Sequence, residues 1–209
     1  RPFTEQELQH SKNVLLQTHK PELITNLESK SQKSKEERLQ NGKPALGHMG
    51  YIDYDTYLTT ETYNVCLRAT AAWIRAATTG GFALTRPPGH HATYSLQNGF
   101  CIFNFAGACA VDAVQKGLRV SILDWDVHYG QGVADIANRH ENMRYVSIHQ
   151  TPDFPYEGER YRQEKNVMTL PMPPDTTWTC GYSDLFDEAL DFISNESWQP
   201  DLVIVCAGY

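Results

Sequence analysis

No stretch of this 209-residue sequence approaches the ~20 consecutive apolar residues that span a bilayer, so no membrane partner is expected. Clustered Lys and Arg are also missing: 18 basic residues stand against 25 acidic ones, for a formal net charge of −7. That balance argues against direct binding to nucleic acid, which requires neutralised phosphates, and it suits a cationic substrate. Cysteine pairs at CxxC spacing are absent. The five cysteines are Cys66, Cys101, Cys109, Cys180 and Cys206, several of them in apolar runs such as FCIFNFAGACAV and LVIVCAG. Small buried thiols in a reducing, intracellular compartment are the expectation. There is no internal repeat and no dividing linker. With 41% hydrophobic and 21% charged residues, one domain spanning 1–209 with a sizeable core is expected. The chain opens on Arg1 rather than Met, which fits either a removed targeting segment or a clipped chain.

What is present changes character along the chain. Residues 1–47 are polar, and 29–44 read as a solvated helix end and loop in a peripheral region. From residue 48, helical and strand patterns alternate. Residues 59–78 read as a helix with an N-capping Thr, 81–91 as a short strand entering a Pro/Gly loop, and 101–117 as an apolar helix stopped by Gly117. Residues 119–125, 144–149 and 201–208 read as buried strands, and 132–140 and 182–196 as helices. The class is therefore α/β, a mostly parallel sheet flanked by helices on both faces. Ligand sites in such sheets lie beyond the carboxyl ends of the strands, where the chain places polar and ionisable residues.

Two motifs stand there. In LDWDVHYG (123–130), Asp124, Asp126 and His128 fall at i, i+2 and i+4, so an extended backbone turns all three to one side. Two carboxylates and an imidazole suit a divalent metal, with zinc ligands at about 2.0–2.2 Å. The alternative is a hydrogen-bonded strand end without metal, at the cost of burying two carboxylates. In RPPGHHA (86–92), Pro87 and Pro88 stiffen the backbone and Gly89 permits an unusual turn or a close approach. The pair His90–His91 beyond them suits proton transfer near neutral pH.

RPPGHHA, NGFCIFNF (98–105), LDWDVHYGQG (123–132), YVSIHQ (145–150) and DLVIVCAGY (201–209), in that order, resemble the histone deacetylase family. RPPGHHA and DWDVH are most similar to class II members and to acetylpolyamine amidohydrolases; VHYGQGVADI and WTCGY (178–182) are closest to plant and algal members. The resemblance covers residue 48 to the end and implies an arginase/deacetylase-like fold. It implies zinc held by Asp126 and His128, with Asp124 orienting His90 and with His91 moving the proton. Gln131 stands where class I members carry an Asp behind that histidine, and Tyr129 replaces the second His of the common DVHHG form. The resemblance also implies a monovalent-cation site, filled by potassium, that uses Asp124, Ser147 and Ile148. Gly99, Phe100 and Phe154 resemble walls of the channel for the acyl-lysine stem, although plain packing is an equal reading for Phe154. Asp55 aligns loosely with the rim acid that grips substrate backbone, and a loop-capping role competes with it. The family's third zinc ligand would follow Tyr209, and its carbonyl-polarising Tyr would lie further on, so this chain reads as a fragment clipped at both ends.

The substrate implied is N-acetyl-lysine in histones or other proteins, with acetylpolyamines or other small acylated amines as the alternative. A different class of reading is an inactive remnant acting as an interaction module.

Overall fold

The computed structural model describes residues 1–208 and divides the chain into two compact units, Arg1–Cys109 and Ala110–Tyr209. In the first unit, α1 (Glu5–Thr18) starts from a capping box. The Thr4 hydroxyl accepts the Glu7 amide at 3.2 Å, and the Glu7 carboxylate accepts the Thr4 amide at 2.8 Å. A Lys12–Glu28 ion pair at 2.7 Å links α1 to α2 (Pro21–Gln40), whose first helical residue is proline. Both helices are mostly polar. Yet Val14, Leu15, Ile24 and Leu27 are buried with Tyr63, Cys66 and Ala69 of α3 (Thr62–Thr79) and with Phe103 and Phe105. Sparse apolar residues at helical spacing thus make the amino-terminal region part of the core.

Two sequence expectations change here. Helix α3 has no side-chain cap, since Glu61 rather than a threonine occupies its N-cap position. Residues 81–84 form no strand: Phe82 and Leu84 are 81% and 91% exposed and have no sheet partner among the described residues. The unit's strands are instead a small antiparallel hairpin, β1 (His48–Tyr51) with β2 (Tyr57–Thr59). Helix α4 (Phe105–Gln115) is capped by Asn104, whose Oδ1 accepts the Gly107 amide at 2.8 Å.

Arg75 donates to Glu7 at 2.8 Å. The Thr4 amide and then Arg75 hold the Glu7 carboxyl down from 4.5 to about 2. A depressed carboxyl contributes stability that is complete above its unfolded value and is lost as pH falls through the folded one. Glu7→Gln is therefore expected to flatten the fall in melting temperature between pH 4.5 and 2, read by thermal scans across that window.

The second unit is built on the sheet β5-β6-β4-β3-β7. Strands β3 (Val120–Asp124), β4 (Met143–Gln150), β6 (Val167–Met172) and β7 (Leu202–Cys206) run parallel, and β5 (Arg162–Gln163) pairs antiparallel with β6. Every residue of β3 is buried, Ser121 and Asp124 included, as fits a strand covered on both faces. Alternate residues divide the two faces. Leu123, Val146, Ile148, Met168 and Leu170 pack on Ala189, Phe192 and Ile193 of α6 (Tyr182–Ile193). Their neighbours Asp124, Tyr145, Ser147 and His149 point the other way. Helix α5 (Gln131–Ala137) packs against β4. The result is a mixed, mostly parallel sheet flanked by helices.

Candidate functional site

The histidine pair belongs to the first unit. A Cβ on Gly89 would meet the Phe105 amide nitrogen at 2.8 Å and the Phe103 carbonyl at 3.0 Å, so the glycine serves close backbone approach. The His90 and His91 rings lie 4.0 Å apart at 47°, and both residues are buried. The His91 amide contacts Cys101 Sγ at 3.4 Å.

The loop beyond the pair is tied down by two residues that the sequence reading passes over. Asn104 Nδ2 donates to the Ala92 carbonyl at 2.9 Å. His19 Nδ1 lies 2.8 Å from the Thr93 carbonyl, which can only accept, so Nδ1 carries the hydrogen and Nε2 accepts the Asn104 amide at 2.9 Å. His19 is fully buried and acts as a neutral bridge from the end of α1 to both flanks of the loop. The available signals were an asparagine inside an apolar run and a histidine closing an amphipathic helix.

The second unit carries the other expected residues. Strand β3 stops at Asp124, and 126–128 bend instead of continuing extended. The carboxylates cause this: Asp124 Oδ1 accepts the Asp126 amide at 3.1 Å, and Asp126 Oδ1 accepts the His128 amide at 2.8 Å. The i, i+2, i+4 geometry of a strand is thus replaced by two successive side-chain-closed turns. His128 Nδ1 comes within 3.1 Å of Asp126 Oδ1. The Phe154 ring stands edge-on to His128 at 6.2 Å, placing that expected channel residue beside the imidazole. Gln131 is buried at the start of α5. Ser147 is the register partner of Asp124, and both are fully buried; the Ile148 side chain faces α6.

Behind Asp124 lies a polar network that the motifs did not reveal. Tyr145 donates to Asp124 Oδ2 at 3.0 Å. Burial, and then the Asp124 charge, push the Tyr145 phenol well above its ordinary range, so it is a fixed donor. His149 Nε2 must carry a hydrogen to reach the Gly158 carbonyl at 3.0 Å, which leaves Nδ1 to accept from the Ser147 hydroxyl at 2.9 Å. Burial lowers the His149 pKa, consistent with that neutral form. Tyr129 packs on His149 with ring centroids 4.8 Å apart, and burial pushes its phenol up to about 12. A Cβ on Gly158 would come within 2.9 Å of both rings. Tyr145→Phe is expected to cost about 1–3 kcal/mol, the range for removing a buried hydrogen bond, measured as a lower urea midpoint.

Asp126 and His128 are the residues that could hold a metal. Two ligands on a tetrahedral ion with bonds of about 2.0–2.1 Å stand roughly 3.3 Å apart, close to the Oδ1–Nδ1 spacing seen here. Their side chains are 19% and 39% exposed, so the pair is reachable from solvent. Among the described residues no group of three or more His, Cys, Asp or Glu side chains converges on one metal position. The residues present therefore fit part of a ligand set.

A model of the histone deacetylase domain matches residues 2–209. "Histone deacetylase 10, chloroplastic" of Oryza sativa subsp. japonica is 34% identical over 74% of the chain and 39% of its own length. "Polyamine deacetylase HDAC10" of Rattus norvegicus is 33% identical over 91% of the chain and 34% of its own length. The solved structure "Crystal Structure of HDA15 HD domain" aligns with TM-score 0.74 and 26% identity, covering all of this chain and 58% of that one. The chain spans about half or less of the length of the curated relatives it matches. With the match running from residue 2 to 209, and with Asp124 closing a buried strand just before Asp126 and His128, the chain belongs to the histone deacetylase domain family.

Proposed function

We propose that the chain is the catalytic domain of a zinc-dependent deacetylase that hydrolyses the N-acetyl amide of lysine in proteins. The observation that carries this reading is the carboxylate–imidazole pair at 3.1 Å, Asp126 with His128, at the carboxyl end of a buried parallel strand. A zinc ion bound there would supply Lewis acidity, bringing the pKa of water to about 7 and polarising a carbonyl. Asp126 and His128 would hold it. His91 is the base that takes a proton from the attacking water and returns it to the leaving amine nitrogen, with His90 beside it keeping the ring in place. Gln131, a neutral amide, would leave an imidazole paired with it less strongly cationic than a carboxylate would.

Asp124 and Ser147, adjacent in register and buried, would hold a potassium ion together with the main chain at Ile148. Four of the five cysteines are buried, which would suit a reducing compartment. No helix among the described residues is long and apolar enough to cross a membrane.

A second reading, hydrolysis of acetylpolyamines, is favoured by the net charge of −7, which suits a cationic small molecule. The rat relative carries that activity in its name. Acetate release by the zinc-loaded full-length protein from an acetyl-lysine peptide and from N-acetylputrescine separates the two. Faster turnover of the peptide is expected; a strong preference for the amine moves the assignment to the second reading, and no release from either removes both.

A further inference from the structure

Gly99 and Phe100 form the tip of a two-residue turn closed by Asn98 and Cys101, whose main chains exchange hydrogen bonds at 3.2 and 2.8 Å. Both tip residues have positive φ, +53° and +64°. Turns of this kind require left-handed backbone at both central positions, which glycine adopts freely and phenylalanine does not, because its Cβ crowds the carbonyl oxygens. A bulky residue held there needs something to hold it.

A neighbouring turn does so. The Gly99 amide donates to Asp53 Oδ2 at 3.2 Å, and the Phe100 amide donates to Thr56 Oγ1 at 2.9 Å. Asp53 Oδ1 in turn accepts the amides of Thr56 at 2.6 Å and Asp55 at 3.2 Å, and the Ile52 amide closes on the Thr56 carbonyl at 2.8 Å. Thr56 is buried. Burial raises the Asp53 carboxyl, but hydrogen bonds from Thr56, Asp55 and Gly99 more than offset this and hold it below its ordinary value. Asp53, not Asp55, is thus the capping acid of this loop, and as an ionised carboxylate it acts only as an acceptor for these amides. The clamp does not bury the aromatic ring: Phe100 remains 54% exposed. Strain is spent on display.

We propose that the turn from Asp53 to Thr56 is a clamp that sets acyl-substrate recognition by fixing the Gly99–Phe100 tip, with Asp53 and Thr56 as positioning residues. This rests on the deacetylase reading, in which Phe100 lines the acyl-lysine channel. In the zinc-loaded full-length protein, Thr56→Val and Asp53→Ala are expected to raise KM for an acetyl-lysine peptide at least roughly 5- to 10-fold, the loss of the one hydrogen bond each gives the tip, with kcat and zinc content within about 2-fold. Thr56→Ser, which keeps the hydroxyl, is expected to restore the KM. Amide hydrogen exchange at Gly99 and Phe100 is expected to be slow in the parent and Ser forms and fast in the Val form. Unchanged KM, or kcat and zinc falling together with it, overturns the clamp. Fast exchange at Phe100 in the parent overturns it too, even in a protein without deacetylase activity, whereas absent activity with slow exchange overturns only the channel reading.

Discussion

Gly208→Ala is expected to weaken zinc binding by at least about 10–100-fold, the range seen when the surroundings of a metal ligand are disturbed, while the protein stays folded. Gly208 follows β7, and a Cβ built on it overlaps the Asp126 carboxylate at Oδ2 and stands 3.0 Å from Asp126 Cβ. All three nearest atoms belong to one side chain, so the backbone has no need to move. The carboxylate yields instead, and its 3.1 Å approach to His128 Nδ1 goes with it. Zinc content after dialysis reads the effect, and an unchanged thermal midpoint separates ligand displacement from unfolding. Parent-level zinc in the alanine form would show that Asp126 does not hold the metal in this position.

His91→Ala is expected to lower kcat by about 10²–10⁴, the contribution of a positioned general base, with zinc content nearly unchanged. His91 is 4% exposed, so removal of its ring also leaves a void. His91→Gln, closer in volume, should show the same kinetic loss with less loss of stability. The loop itself does not depend on the imidazole, because Gly89, Asn104 and His19 fix its main chain. A variant that loses zinc instead of turnover would remove His91 from the proton-transfer role.

What could be read beforehand followed from how strongly each residue's surroundings act on it. Strands β3 and β4 and helix α6 are spelled out by β-branched apolar residues and an amphipathic stripe, because a sheet interior leaves few other choices. Strand β7 reads as equally buried, but it lies at the edge of the described sheet, with Val203 and Val205 47% and 37% exposed. Residues 81–84 carry the same apolar signal without a partner strand among the described residues, and pattern alone cannot supply one. The bends at Asp126 and His128 escaped because a carboxylate that accepts the amide two residues ahead looks, in sequence, like one aimed at a ligand. His19, Asn104, Asp53 and Thr56 act through main-chain groups distant in sequence, and such bonds leave no spacing to find.

The alternation on β4 has a consequence for how the chain finds its fold. Tyr145, Ser147 and His149 share one face, and Val146 and Ile148 share the other. A slip of one residue against β3 would press two hydroxyls and an imidazole into the greasy underside of α6 and turn aliphatic side chains toward Asp124. This polar row, which includes the serine that would serve the ion, therefore also acts as a proofreader of strand pairing. Variants that simplify this row to aliphatics stand to lose the unique alignment of the sheet before they lose much stability.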